Sequence, residues 1–137
     1  MNRDDLIELA RIRLKEAQTL LKNRNYDGAY YLCGYVVECG LKACIAKQTK
    51  QYDFPDKNTV NQSYTHSLNT LVRIAGLERA LDKEMKRDPK FGLNWAVVKD
   101  WSEESRYEKH AKKEARDLWT AIVNKKAGVL KWIEHNW

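Results

Sequence analysis

The segment WSEESRYEKHAKKEARD, residues 101–117, holds the side chains best suited to chemistry. Arg106 and His110 stand four apart, which makes them neighbours on a continuous helix. A histidine that titrates near neutrality can move a proton, and an adjacent guanidinium can hold a phosphate or the charge that builds on it. That pair suits metal-independent RNA cleavage, in which the ribose hydroxyl is the nucleophile. Tyr107, Lys109 and Lys113 lie beside it in sequence and, with Lys42, are candidates for holding a substrate or nucleotide. The plainer alternative is a solvated surface, since Glu108, Glu114 and Asp117 offer ordinary ion-pair partners to the same groups.

A second stretch, NYDGAYYLCGYVVECGLKACIAKQ at residues 25–48, is apolar nearly throughout yet carries Glu38 and Lys42. On an ideal helix Tyr31, Tyr35, Glu38 and Lys42 fall within about 60° of one another, so the polar groups share a face. Glu38 precedes Lys42 by four residues, the better order for a helical ion pair, worth about 0.2–0.5 kcal/mol when exposed. Arg13 interrupts the apolar stripe of the preceding helix and reaches about the level of Glu38 if the two helices run antiparallel. Glu38 and Arg13 are therefore expected to be structural polar groups, with Lys42 or Arg106 as further partners. His66, at the start of a later helix, reads as a packing or capping residue.

The elements that must position these groups are helical. Leu6, Leu9, Ala10, Leu14, Ala17, Leu20 and Leu21 recur at spacings of three and four, which predicts a helix over 4–22. KNRNYDG is a turn, and Asp27 is the expected cap of a central helix over 27–49. Residues 51–62 have no period and contain Pro55, so they read as a loop. Leu68, Leu71, Val72 and Ala75 predict a third helix capped by Ser63 or Thr65 and stopped at Gly76. Short helices are expected over 77–86, ended by DPKFG, and over 94–101. Ala111, Ala115, Leu118, Ile122, Val129 and Ile133 lie within about 60° on a wheel, which predicts one long amphipathic rod over 107–135. No strand-like alternation occurs, and the chain is expected to be an all-α, up-and-down bundle.

At 137 residues the chain is one domain, residues 1–137, with a single core. Its 43% apolar and 32% charged content, with two prolines, argues for a folded helical globule over disorder. The net charge of +6 is spread along the chain, so it permits attraction to nucleic acid without marking a basic arm. Cys33, Cys39 and Cys44 share one helix, cannot easily bridge one another there, and point to a reducing, cytoplasmic setting. His66, His110 and His135 show no metal-ligand spacing, so no metal and no cofactor is expected. The charged start MNRDDLIEL is unlike a signal peptide, and no run approaches the roughly 20 apolar residues of a membrane span.

GAYYLCGYVVECGLKACI, followed by THSL and then by SRYE ahead of the terminal helices, resembles the HEPN family, the higher-eukaryote and prokaryote nucleotide-binding domains. The resemblance spans nearly the whole chain and implies a four- to five-helix bundle, often a homodimer. In many members it implies a ribonuclease toxin or defence component paired with a minimal nucleotidyltransferase antitoxin. The family's nuclease motif is an arginine, four to six residues, then a histidine, at the composite cleft of a dimer. Here Arg106 and His110 enclose only Tyr107, Glu108 and Lys109, and Lys112 stands where some relatives carry a tyrosine modified by the antitoxin. The resemblance thus leaves two alternatives, an RNA-cleaving toxin and a non-catalytic module that binds a nucleotide or a protein partner.

Overall fold

The chain is described by a computed structural model covering residues 1–49 and 56–137. Among these residues it forms eight α-helices, one 3-10 helix and no strands. Helices α1 (Arg3–Lys22) and α2 (Tyr26–Lys47) form an antiparallel hairpin around a turn in which Arg24 takes a positive φ of 62°. A reciprocal pair starts α1: the Asp5 N–H donates to Asn2 Oδ1 at 2.9 Å and the Asn2 N–H to Asp5 Oδ2 at 3.1 Å. α2 has apolar neighbours on several sides, touching α1, α4, α7, α8 and the 3-10 helix. Ala29, Cys33, Val36, Val37, Leu41, Cys44 and Ile45 are accordingly buried, which explains a helix apolar almost all round.

Between the hairpin and the C-terminal helices run α3 (Lys57–Gln62), α4 (Leu68–Ile74), α5 (Glu78–Arg87) and α6 (Pro89–Val98). The loop expected over 51–62 is corrected in part: Lys57–Gln62 is helical, with Asp56 accepting from the Thr59 N–H at 3.0 Å, while 51–55 lies outside the described residues. Ser67, not Ser63 or Thr65, caps α4, and His66 precedes the helix instead of lying in its first turn. DPKFG opens a helix as well as ending one. Pro89 sits at the first position of α6, where its missing N–H costs nothing, and Asp88 caps it.

The single rod expected over 107–135 is the largest correction. The 3-10 helix Glu103–Tyr107 gives way to extended backbone at Glu108 and Ala111, then to α7 (Lys112–Val123) and α8 (Val129–Glu134). The break after α7 has a local cause. Asn124 Oδ1 accepts from the Lys126 and Ala127 N–H groups at 3.0 and 2.8 Å, a turn that competes with helix continuation. Gly128 seals it, since a Cβ there would lie 2.4 Å from the Asn124 carbonyl oxygen. The apolar stripe survives: Ala115, Leu118, Ile122, Val129 and Ile133 are buried, and only Ala111 is exposed.

The tryptophans work within the chain. Trp132 is buried and its ring lies 5.6 Å from that of Phe91, while Arg11 lies over Trp137, whose carbonyl accepts from Arg3 at 2.7 Å. Trp132 thus belongs to the core, and Trp137 ties the chain end to α1.

Candidate functional site

Trp101 sets the geometry of the site. Its ring lies against Gly34 of α2 so closely that a Cβ at Gly34 would come within 2.1 Å of ring atoms, and its centroid is 6.0 Å from that of Tyr31. Glycine is needed there because only a bare backbone admits an indole. This contact docks the 3-10 helix, which follows Trp101 directly, onto the polar face of α2.

On that face Glu38 is 2% exposed and makes two contacts. Its Oε1 lies 2.9 Å from His66 Nδ1, and its Oε2 lies 3.4 Å from Lys42 Nζ. His66 Nε2 in turn lies 3.0 Å from Glu103 Oε2 on the 3-10 helix. A histidine from the chain just before α4 is therefore bracketed by carboxylates from α2 and from a segment nearly forty residues later in the sequence. The His66 and Glu103 side chains are 42% and 36% exposed, so this cluster opens to solvent over a buried base.

Arg106 belongs to the same face. Its guanidinium lies 4.8 Å from the Tyr107 ring centroid. Tyr107 first, then Tyr31 and Glu103, hold its pKa above the ordinary arginine value. His110 goes elsewhere. Its ring stacks on Tyr30 with centroids 3.8 Å apart, Nδ1 lies 3.2 Å from Glu114 Oε2, and Nε2 lies 3.3 Å from the Ser105 carbonyl oxygen. The side chain is 5% exposed, and the backbone N–H of His110 donates to Asp27. The hydrogen bond from His110 holds the Glu114 carboxyl below its usual range. Tyr30 and Tyr31 project about 100° apart on α2, so the segment carries Arg106 to one face and His110 to another.

The expected neighbour relation of Arg106 and His110 rested on a continuous helix, and the 3-10 turn and extended link remove it. Asp27, expected to cap α2, instead ties down the His110 backbone. Arg13, expected beside Glu38, pairs with Glu16 one turn along its own helix, which satisfies it without crossing the hairpin. Arg106 is not a partner of Glu38, whose oxygens go to His66 and Lys42. Tyr107 and Lys109 are exposed, and Lys113 pairs with Asp117 at 2.6 Å on the outer side of α7. Of the sequence candidates, Glu38, Lys42, Arg106 and Tyr107 thus gather at or beside one face. His66 and Glu103 were missed. The THSL signature carried a signal for His66, whereas nothing local marked Glu103.

Burial pushes the Cys33 thiol up to about 12 and those of Cys39 and Cys44 to about 11. The Tyr35 hydroxyl rises to about 12, by burial first and then by nearby Cys39 and Glu38. Among the described residues no group of three or more His, Cys, Asp or Glu side chains could hold a metal ion, and no helix is long and apolar enough to cross a membrane.

The HEPN domain family model matches residues 4–136. The chain belongs to the HEPN domain family. No curated protein and no solved structure matches it. In this HEPN domain the residues that carried the resemblance, Glu38 and Lys42 in ECGLK and His66 in THSL, are the ones in contact at the cluster.

Proposed function

We propose that this HEPN domain acts on RNA as the cleaving component of a toxin or defence pair, without a metal ion, holding a substrate phosphate at the Arg106 face. The observation that carries this reading is the solvent-facing guanidinium of Arg106 beside Tyr31 and the Glu38–His66–Lys42 cluster. Guanidinium is well matched to phosphate, and an imidazole on the same face can exchange a proton with the ribose hydroxyl or the leaving oxygen. The net charge of +6 favours approach to a polyanion. A homodimer and a minimal nucleotidyltransferase partner belong to the proposal through the family resemblance. The test is incubation of single-stranded RNA with the purified chain in EDTA. Cleavage with cyclic phosphate ends is expected, with a loss of at least about a hundredfold in Arg106→Ala, the scale of removing one charge-stabilising group. RNA left intact by concentrated, folded protein refutes cleavage.

A second reading, binding without turnover, draws on a specific observation: both ring nitrogens of His110 are already engaged and the ring is enclosed. It predicts RNA or nucleotide affinity that Arg106→Ala weakens, with no product formed. Calorimetry showing no heat with RNA, nucleotides or a nucleotidyltransferase partner would remove it.

A further inference from the structure

The site proposed above holds two histidines at different faces, and only one shares a face with Arg106. His66 Nδ1 is fixed by Glu38, a carboxylate that is 2% exposed and whose other oxygen faces Lys42. Fixing one nitrogen on a buried carboxylate sets the ring plane and aims Nε2 at the open face. Nε2 in turn has a second carboxylate oxygen 3.0 Å away, at ion-pair distance. The outer position therefore accommodates an anionic oxygen against the ring nitrogen. Glu103 Oε2 now supplies it, and the charge of that same carboxylate acts on Arg106. A phosphate presents the same kind of oxygen, more charge, and a better match to the guanidinium.

We infer that His66, and not His110, is the ring that meets the substrate phosphate, in a site whose anion position Glu103 fills until the ligand displaces it. The two carboxylates have different tasks. Glu38 is enclosed and serves both His66 and Lys42, so it stays as the orienting group. Glu103 is over a third exposed on a five-residue 3-10 helix and can swing to water. Trp101, wedged at Gly34, keeps the base of that helix in place while the Glu103 side chain leaves. This inference rests on the RNA reading for the identity of the phosphate, but binding can be measured without turnover.

The experiment is a histidine-selective NMR titration of the full chain, its three ring signals assigned by single substitutions. Two probes are used: adenosine monophosphate, and a short oligoribonucleotide carrying 2′-O-methyl groups, which cannot be cleaved because its nucleophile is blocked. The His66 signal is expected to move saturably with the oligonucleotide, while those of His110 and His135 stay within error. Response to the monophosphate alone would assign the same site to a free nucleotide. Glu103→Gln, which keeps size and removes the competing charge, should tighten binding about fivefold, the scale of one exposed ion pair. His66→Gln should weaken it at least tenfold, with His66→Asn as a second variant and helical circular dichroism as the check on folding. A ring response at His110 instead of His66, an affinity unchanged by Glu103→Gln, or no response to either probe overturns the inference. RNA cleavage by the wild-type chain with a silent His66 would leave the RNA reading standing and end this one. A His66 response without cleavage would do the reverse.

Discussion

Replacing Glu38 by glutamine tests whether the buried carboxylate organises this face. The substitution keeps the side-chain size and one carbonyl oxygen but turns an amide N–H₂ toward one of two donors, His66 Nδ1 or Lys42 Nζ. The contact to His66 at 2.9 Å is short and charge-assisted, a class worth about 1.5–3 kcal/mol. The contact to Lys42 at 3.4 Å is longer and is a helical i,i+4 pair, worth about 0.5 kcal/mol or less. A fully buried pair that loses one partner costs about 3–5 kcal/mol, but His66 and Lys42 are 42% and 21% exposed and can rehydrate, which lowers the cost. The expected loss is about 2 kcal/mol, or about 7 °C in Tm for a chain of 137 residues. Urea denaturation of the wild type, Glu38→Gln, His66→Gln and the double variant measures it. The double variant should fall short of additivity by about 1 kcal/mol, since the singles break the same contact. A Glu38→Gln loss below about 0.5 kcal/mol, or strict additivity with His66→Gln, would show that the carboxylate is not the shared acceptor.

Two further outcomes follow from the same packing. Gly34→Ala should cost about 1–3 kcal/mol by overpacking, because its methyl would lie 2.1 Å from the Trp101 ring and must push it away. It should also weaken RNA or phosphate binding although it alters no ligand-facing residue; denaturation together with the NMR titration checks both, and unchanged binding would show that Trp101 does not position the 3-10 helix. Cys33, Cys39 and Cys44 are buried and free, with thiols raised to about 12, 11 and 11, so at pH 8 the thiolate is scarce. Ellman's reagent should label them slowly in the native chain and promptly in denaturant, and any one that reacts at once in native protein would contradict its place in the core.

Much of the fold was legible because it depends on periodicity. The stripes of α1 and α2 and the Leu118–Ile122–Val129–Ile133 face follow from spacing alone, and the burial of those four residues did not require the helix to be continuous. The break between α7 and α8 was hidden for that reason: an apolar stripe reports which side is buried, not whether the backbone between its members is helical. Asn124 and Gly128 carried the missing signal as turn chemistry, which the spacing of hydrophobic positions does not register.

The site was less legible, and for a different physical reason. Glu38 and Lys42 were readable as a pair since four residues on a helix fix their proximity. His66 lies twenty-eight residues from Glu38 and Glu103 lies thirty-seven from His66, and their meeting depends on where α4 and the 3-10 helix dock on α2. The spacing that made Arg106 and His110 look like partners has meaning only within one helix. Once the 3-10 turn intervenes, sequence neighbours separate, Arg106 joining Tyr31 and His110 joining Tyr30. One helical position, about 100° of rotation on α2, divides the exposed guanidinium of Arg106 from the His110 ring that locks the segment in place. The spacing of Arg106 and His110 therefore says nothing about which groups share a face, because the 3-10 turn and extended link, not a helix, set where each side chain goes.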